Sequence, residues 1–418
     1  MRYIYTVLFY LLLPFICLRL LFKGRKNPAY QAHLKERFSF GIHKKDPVDV
    51  WVHAVSLGEV VAAKQLIENI LLANQRVLVT SMTPTGREQI CRLFGDRVTY
   101  QYVPYDYPWA LRRFFKIYQP RVGIIMETEL WPNLMLEAKK YDVALFIANA
   151  RISDGAFRAY QRVRWFFKPL FACVTGVFAQ SEQDAERFLA LGVFKTKVHV
   201  LGNMKNDLQV PRDVSQPLYF LKQAWGETRP VLIAASTHEG EEEAILLVLM
   251  ELQKRVPNII LLIAPRHPER FNDVYQLAKK YCVKTARRSD ANQIAFDTEV
   301  VVLDSLGELL GFYGLSDYAF VGGSLVPVGG HNVLEPMAQG VPVFCGMFMQ
   351  NSKNLCEALM RAQAMQQVVD ASELVQKISL FYQNSRMRDA QITRATAALK
   401  AGQGAVARHV KAIESYWG

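Results

Sequence analysis

Residues 318–342 read YAFVGGSLVPVGGHNVLEPMAQGVP. A short apolar run, a loop with glycines at 322, 323, 329 and 330, a helix opening near Asn332 and a glycine stop form one strand–loop–helix unit of a parallel sheet. Glycines let the backbone approach a ligand closely, and a helix N-terminus presents N–H groups and partial positive charge to a phosphate. On that reading Glu335, about one turn into the helix, is placed to hydrogen-bond ribose hydroxyls. An ordinary strand–turn–helix with a capping Asn accounts for the same residues.

Outward from this segment the rhythm repeats. Strand-like runs lie near 48–55, 77–80, 99–103, 122–126, 144–148, 174–179 and 198–200, then from Val231 (VLIAAST) and near 259–264, 300–303, 318–321 and 342–344, with helical patterns between them. Alternation of this kind predicts two doubly wound, Rossmann-like sheets facing a central cleft, with ligands at the carboxyl ends of the strands. The 418 residues exceed what one core usually serves. Between 202 and 230 the rhythm lapses, with Pro211 and Pro217 among polar residues, so the linker is expected there. The expected divisions are 1–22 (an N-terminal membrane anchor), 23–208 and 209–418. No solenoid-length repeat or low-complexity tract interrupts the pattern.

The formal charge of +12 asks for an anionic partner: nucleic acid, an anionic bilayer or an acidic substrate. The N-terminus favours the bilayer. Residues 3–18 (YIYTVLFYLLLPFICL) are uncharged, and Arg19, Lys23, Arg25 and Lys26 follow. Sixteen residues at ~1.5 Å rise reach about 24 Å, short of a ~30 Å hydrocarbon core, and Pro14 weakens the helix, so spanning and embedding both stand. The basic flank places the remainder on the cytoplasmic side. No A-x-A-like cleavage site follows the apolar run. The six cysteines show no ligand spacing and read as reduced packing residues.

Several strand ends carry candidate chemistry. In LLIAPRHPERF, Pro265 and Arg266 follow a strand, and Arg266 is suited to clamp a phosphate or carboxylate; a surface arginine capping the next helix is the plainer alternative. LDSLGELLGFYG brings Leu306, Gly307 and Glu308 to another helix start. ASTHEGEEE ends a strand at His238, read as a satisfied strand-end histidine with no assigned role. In VWVHAVSLGEVV, Glu59 in the first helical turn is a candidate general base, while Ser56 and Glu59 also fit an S-x-x-E capping box. IIMETELWPNL adds Glu127 and Glu129, and SMTPTG adds Ser81, Thr83 and Thr85, polar groups of the kind a sugar site needs. FRAYQRVRWFFKPLF (157–171) and WALRRFFKIYQPR (109–121) interleave basic and aromatic residues, as an interfacial face or as a solvated face over a packed core.

Taken together, GRKNPAY, the ERF of Glu36–Phe38, VSLGE, TPTG, METELWPN, NARIS, STHEGEE, APRHPERF and FVGGSLVPVGGHNVLEP resemble the 3-deoxy-D-manno-octulosonic acid (Kdo) transferase family of lipopolysaccharide assembly, in order along nearly the whole chain. One departure is that Ser39 and Phe40 intervene before Gly41, where the family usually has glycine directly after ERF or ERY. The resemblance implies a GT-B fold and transfer of Kdo from CMP-Kdo to a hydroxyl of a tetraacylated lipid A precursor (lipid IVA), with inversion. It implies Glu59 as the base; Pro265, Arg266, Leu306 to Glu308, Asn332, Val333, Leu334 and Glu335 as CMP-holding positions; and Ser56 and Glu129 as further substrate contacts. No cofactor and no metal are implied, and no D-x-D or His/Cys cluster follows any strand. The implied place is the cytoplasmic face of the inner membrane, against its anionic surface, with no nucleic acid as partner. In GT-B folds the C-terminal helix often returns to the first domain. A transferase for another nucleotide sugar, a non-catalytic sugar-nucleotide sensor and a nucleic-acid-binding protein are the competing readings.

Overall fold

The computed structural model describes residues 2–26, 28–40, 47–207, 213–282 and 284–417. Asn27, Gly41, Pro211 and the expected 208/209 boundary lie outside the described residues. The chain divides into two compact units: Met1–Asp207 with Gln403–Gly418, and Leu208–Gly402.

Among the described residues, each unit is built on a seven-stranded, wholly parallel sheet. The first contains β1 (Val50–His53), β2 (Val77–Ser81), β3 (Thr99–Tyr102), β4 (Val122–Met126), β5 (Ala144–Ala150), β6 (Gly176–Ala179) and β7 (Val198–Val200). Their order is β3-β2-β1-β4-β5-β6-β7. The second contains β8 (Val231–Thr237), β9 (Ile260–Pro265), β10 (Thr285–Arg287), β11 (Val300–Val302), β12 (Tyr318–Val321), β13 (Val343–Cys345) and β14 (Gln366–Gln367). Their order is β10-β11-β9-β8-β12-β13-β14. Twelve strands lie where the apolar runs predict them. The other two, β10 and β14, sit at the edges of the second sheet, where TAR and QQ carry no apolar run.

Both faces of each sheet are covered, which is why the strands read as continuous hydrophobic runs. In β1 the side chains of Val50 and Val52 enter one core while Trp51 enters the other, the period of two expected of a strand. In β8, Leu232 and Ala234 face one layer, and Val231, Ile233 and Ala235 the opposite one. Each winding reverses once, at β1/β4 and at β8/β12. A crevice opens at such switch points, outside the strands' carboxyl ends.

The C-terminal helix Ala405–Ile413 packs in the first unit, where Val406 and Ile413 join the β1 core. Asp207 caps its N-terminus, accepting the N–H groups of Gly404 (2.6 Å) and Val406 (2.6 Å). His409, fully buried on this helix, shares its Nδ1 with the carbonyl of Ala405 and its Nε2 with the N–H of Asn149 at 3.1 Å. Since a backbone N–H only donates and a carbonyl only accepts, the ring is the neutral Nδ1–H tautomer. Burial accordingly holds its pKa down, to about 4.

At the N-terminus the helices Arg2–Leu11 and Leu13–Lys26 are separated by a 47° bend beside Pro14. Among the described residues no single helix is long and apolar enough to cross a membrane, although this bent pair meets the length and composition of a span. The first helix is tied to its unit by Thr6, which donates to Asn133 at 3.1 Å, and by Tyr107, whose hydroxyl donates to the carbonyl of Phe9. Tyr3, Leu11, Phe15 and Phe22 stay exposed. Of the cysteines, Cys173, Cys282, Cys345 and Cys356 are buried, but Cys91 is exposed against the hydroxyl of Tyr100 and is no packing residue.

Candidate functional site

In the first unit the polar groups gather at the β1/β4 reversal. Ser56 is the N-cap of the helix Leu57–Leu72, yet its side chain makes no capping bond. Its hydroxyl instead donates to Glu59 Oε1 at 3.0 Å, while Glu59 Oε2 accepts the N–H of Val55 at 2.8 Å. The capping box expected of S-x-x-E is therefore not formed: the serine serves the carboxylate rather than the helix. Glu59 is half-buried, and desolvation, helped by the nearby charges of Glu127 and Glu129, raises its pKa to about 7 against the pull of the two hydrogen bonds. A carboxylate so tuned exchanges protons near neutrality, the condition for general base work.

Glu127 and Glu129 follow β4. Glu127 sits at φ 56°, a strained conformation for a non-glycine residue. It is held between Lys205 (3.1 Å) and Arg151 (3.4 Å). Glu129 accepts the indole N–H of Trp131 at 2.8 Å, and burial raises its pKa. Asn149, at the end of β5, is likewise at φ 52°. Thr83 is accounted for locally, since it caps the helix Pro84–Phe94 by accepting the N–H of Gly86. The ERF segment is likewise engaged in packing, where Glu36 accepts from Arg87 (2.9 Å) and from the N–H of Tyr102, and Arg37 lies buried 3.9 Å from the ring of Tyr102. In 109–121 the aromatics Phe114, Phe115 and Tyr118 belong to the core, as the packed-core alternative holds. Trp165 of 157–171 is exposed.

In the second unit the glycine-rich loop after β12 is shaped by the protein's own packing. A Cβ at Gly322 would lie 2.6 Å from the carbonyl oxygen of Ser236, and one at Gly330 would overlap the sulfur of Met349. The loop is pinned by a residue that no motif singles out. Glu241, fully buried in the helix after β8, accepts four backbone N–H groups: His238 and Gly323 on Oε2, Ser324 and Leu325 on Oε1. Only its place in STHEGEE, just after a strand, signalled it. The helix beyond the loop is short, Leu334–Ala338, and Asn332 already accepts the Leu334 N–H at 3.0 Å. Asn332 also donates to Glu335 at 3.0 Å, whose carboxyl is pushed up by burial.

Around that loop stand the other expected positions. Pro265 ends β9 buried, and Arg266 follows it exposed. Leu306 and Gly307 are exposed, and Glu308 is paired with Arg288 at 2.9 Å. Val333 and Leu334 are buried, and the helices Leu309–Tyr313 and Leu334–Ala338 pack together, which brings 306–308 near 332–335. The residues expected for the nucleotide thus converge in the second unit, and Ser56, Glu59, Glu127 and Glu129 in the first.

Residues 32–208 match the family model described as 3-Deoxy-D-manno-octulosonic-acid transferase (kdotransferase). The chain is 35% identical to the 3-deoxy-D-manno-octulosonic acid transferase of Haemophilus influenzae over 420 residues, 99% of this chain and 98% of that one. It is 33% identical to the enzyme of the same description from Bordetella pertussis, over 88% of this chain and 87% of that one. The solved structure of UDP-GlcNAc 2-epimerase from Neisseria meningitidis bound to UDP-GlcNAc matches with a TM-score of 0.61 at 13% identity, covering 88% of this chain and 100% of that one, a likeness of fold.

Proposed function

We propose, starting from the fact that this chain belongs to the 3-deoxy-D-manno-octulosonic acid (Kdo) transferase family, that it moves Kdo from CMP-Kdo to a hydroxyl of a tetraacylated lipid A precursor, lipid IVA, with inversion and without a metal. The observation that carries the mechanism is Glu59: a half-buried carboxylate at a switch point, oriented by Ser56 and Val55, with a pKa near 7. In the step proposed, Glu59 takes the proton of the acceptor hydroxyl as its oxygen bonds to the anomeric carbon of Kdo. The bond from that carbon to the phosphate oxygen breaks, and CMP leaves with the electron pair. Arg266, Leu306 to Glu308 and Asn332 to Glu335 hold the nucleotide in this reading, with Ser56 and Glu129 on the sugar or acceptor. Positive charge from fixed residues supplies the stabilisation of the departing phosphate.

The acceptor is a lipid, and the place proposed for the chain is the cytoplasmic face of the inner membrane. Supporting this are the exposed apolar side chains of the bent N-terminal pair and the basic residues Arg19, Lys23 and Arg25 beside them. Anionic lipid attracts such a flank.

The test is a transfer assay with purified chain, lipid IVA and CMP-Kdo, with UDP-GlcNAc and ADP-heptose as competing donors. The expected result is a product heavier than lipid IVA by whole Kdo residues, of inverted anomeric configuration, from CMP-Kdo alone. Transfer from another donor, or retention of configuration, would refute it.

A further inference from the structure

His238 does more than end a strand. It follows β8, His331 closes the loop after β12, and Arg266 and His267 follow β9, so three neighbouring strands deliver three imidazoles and a guanidinium to one edge. The Nε2 atoms of His238 and His331 are 2.8 Å apart, with the rings coplanar to 1°. The ring of His267 stands edge-on to His238, centroids 5.3 Å apart. Among the described residues no group of three or more His, Cys, Asp or Glu has the geometry to hold a metal ion, so the trio is a polar cluster of another kind.

A contact of 2.8 Å between two ring nitrogens holds one proton, because two N–H groups cannot face each other there. The neutral pair therefore consists of opposite tautomers, and the ring that donates across the contact has its Nδ1 as a remaining basic atom. The pair takes one further proton at that atom and stays intact; a second would force the rings apart. The charged groups facing His238 are Glu241, Arg266, His267 and Arg270, and those facing His331 are Arg266, His267 and His238 itself. Glu241 is engaged by four backbone N–H groups, Arg270 pairs with the buried Glu242, and the exposed Glu269 stands 3.9 Å from His267, so among the described residues Arg266 is the cation of this edge with no carboxylate partner. Burial keeps both rings neutral: it lowers His238 against the opposing charge of Glu241, and with Arg266 and the other two rings it brings His331 to about 4.

We propose that His238 and His331 form a proton-linked anion clamp, which takes up one proton as it receives the phosphate of the nucleotide donor beside Arg266 and His267. An arriving phosphate supplies the negative charge that makes the protonated pair favourable. The proton comes from solvent and returns to it when the nucleotide leaves. The inference rests on the reading that the second unit holds a cytidine nucleotide.

Calorimetric titration of the full chain with CMP, at pH 7.5 in buffers of differing ionisation enthalpy, tests it. The expected result is uptake approaching one proton per CMP bound and none with cytidine. His238→Gln and His331→Gln are each expected to lose the uptake and to bind CMP roughly tenfold more weakly, the share of one charge-assisted hydrogen bond. CMP binding without proton uptake in the unaltered chain overturns the clamp, as do variants that bind within twofold of it. Absence of CMP binding, with binding of UMP or ADP in its place, instead overturns the donor reading on which the clamp rests. The unaltered chain alone decides between these outcomes should either variant fail to fold.

Discussion

Replacing Glu241 by glutamine changes one atom of the second unit and removes one of the two carboxylate oxygens that fix its glycine-rich loop. Each carboxylate oxygen accepts two backbone N–H groups, at 2.9 Å for both on Oε1 and at 2.6 and 3.0 Å on Oε2. An amide keeps one oxygen, so whichever way it turns, two buried N–H donors meet an NH2 group. A buried donor without a partner costs about 1–3 kcal/mol, which makes the expected loss about 4 kcal/mol with no cavity created. For a unit of this size that lowers Tm by ~8–16 °C, at ~2–4 °C per kcal/mol. Scanning calorimetry of the full chain reads it as a downward shift of the second unit's transition, and CMP affinity falls with it because Gly323 and Ser324 lead to His331. A Tm within about 2 °C of the unaltered chain would refute the claim that this carboxylate organises the loop.

Asp207→Ala removes the cap of the C-terminal helix and is expected to cost about 1–2 kcal/mol, seen as a lower Tm for the first unit and faster proteolysis near residue 403. Glu59 carries a pKa raised in the folded state, so the fold favours its protonated form. Its cost to stability is absent below the unfolded value near 4.5, grows as pH rises through that interval, and is full above about 7. Glu59→Gln is therefore expected to match the unaltered chain at pH 4.5 and to exceed it by ~1–2 kcal/mol at pH 8, a figure reduced for the carboxyl's partial exposure; equal denaturant midpoints at pH 8 would contradict this. Transfer by the unaltered chain is expected to rise with pH along a limb centred near 7, measured as kcat/KM. Chelation with EDTA is expected to leave the rate unchanged, and a loss restored by a divalent ion would overturn the metal-free step.

What the sequence disclosed depended on how local the physics was. Buried parallel strands such as VLIAAST and ILLIAP announce themselves because both faces are covered, whereas β10 and β14 pair at edges and need no apolar run. The families of polar residues at strand ends were legible for the same reason, since a strand followed by a polar turn fixes their position. Roles set by partners distant in sequence were not. The bond between Asn149 and His409 spans 260 positions, and that of Glu241 to Ser324 spans 83. The S-x-x-E spacing was legible but ambiguous: it fits a serine turned to the helix as well as one turned to the carboxylate, and only the structure shows Glu59 held by Val55 and Ser56 with its pKa raised by burial and by the glutamates after β4. His238 read alone was unremarkable, and only the adjacency of β8 and β12 brings it to His331.

The central claim is that Glu59 takes the proton of the acceptor hydroxyl. Glutamine at this position keeps an oxygen for the Val55 N–H and an amide for the Ser56 hydroxyl, but it cannot accept a proton. The decisive measurement is single-turnover Kdo transfer from CMP-Kdo to lipid IVA by Glu59→Gln, with CMP affinity measured on the same preparation. The account predicts unchanged CMP binding and a transfer rate lower by about 100-fold or more, the scale of a lost general base. Transfer within a few-fold of the unaltered chain would contradict it and move the search for the base to Glu127 or Glu129.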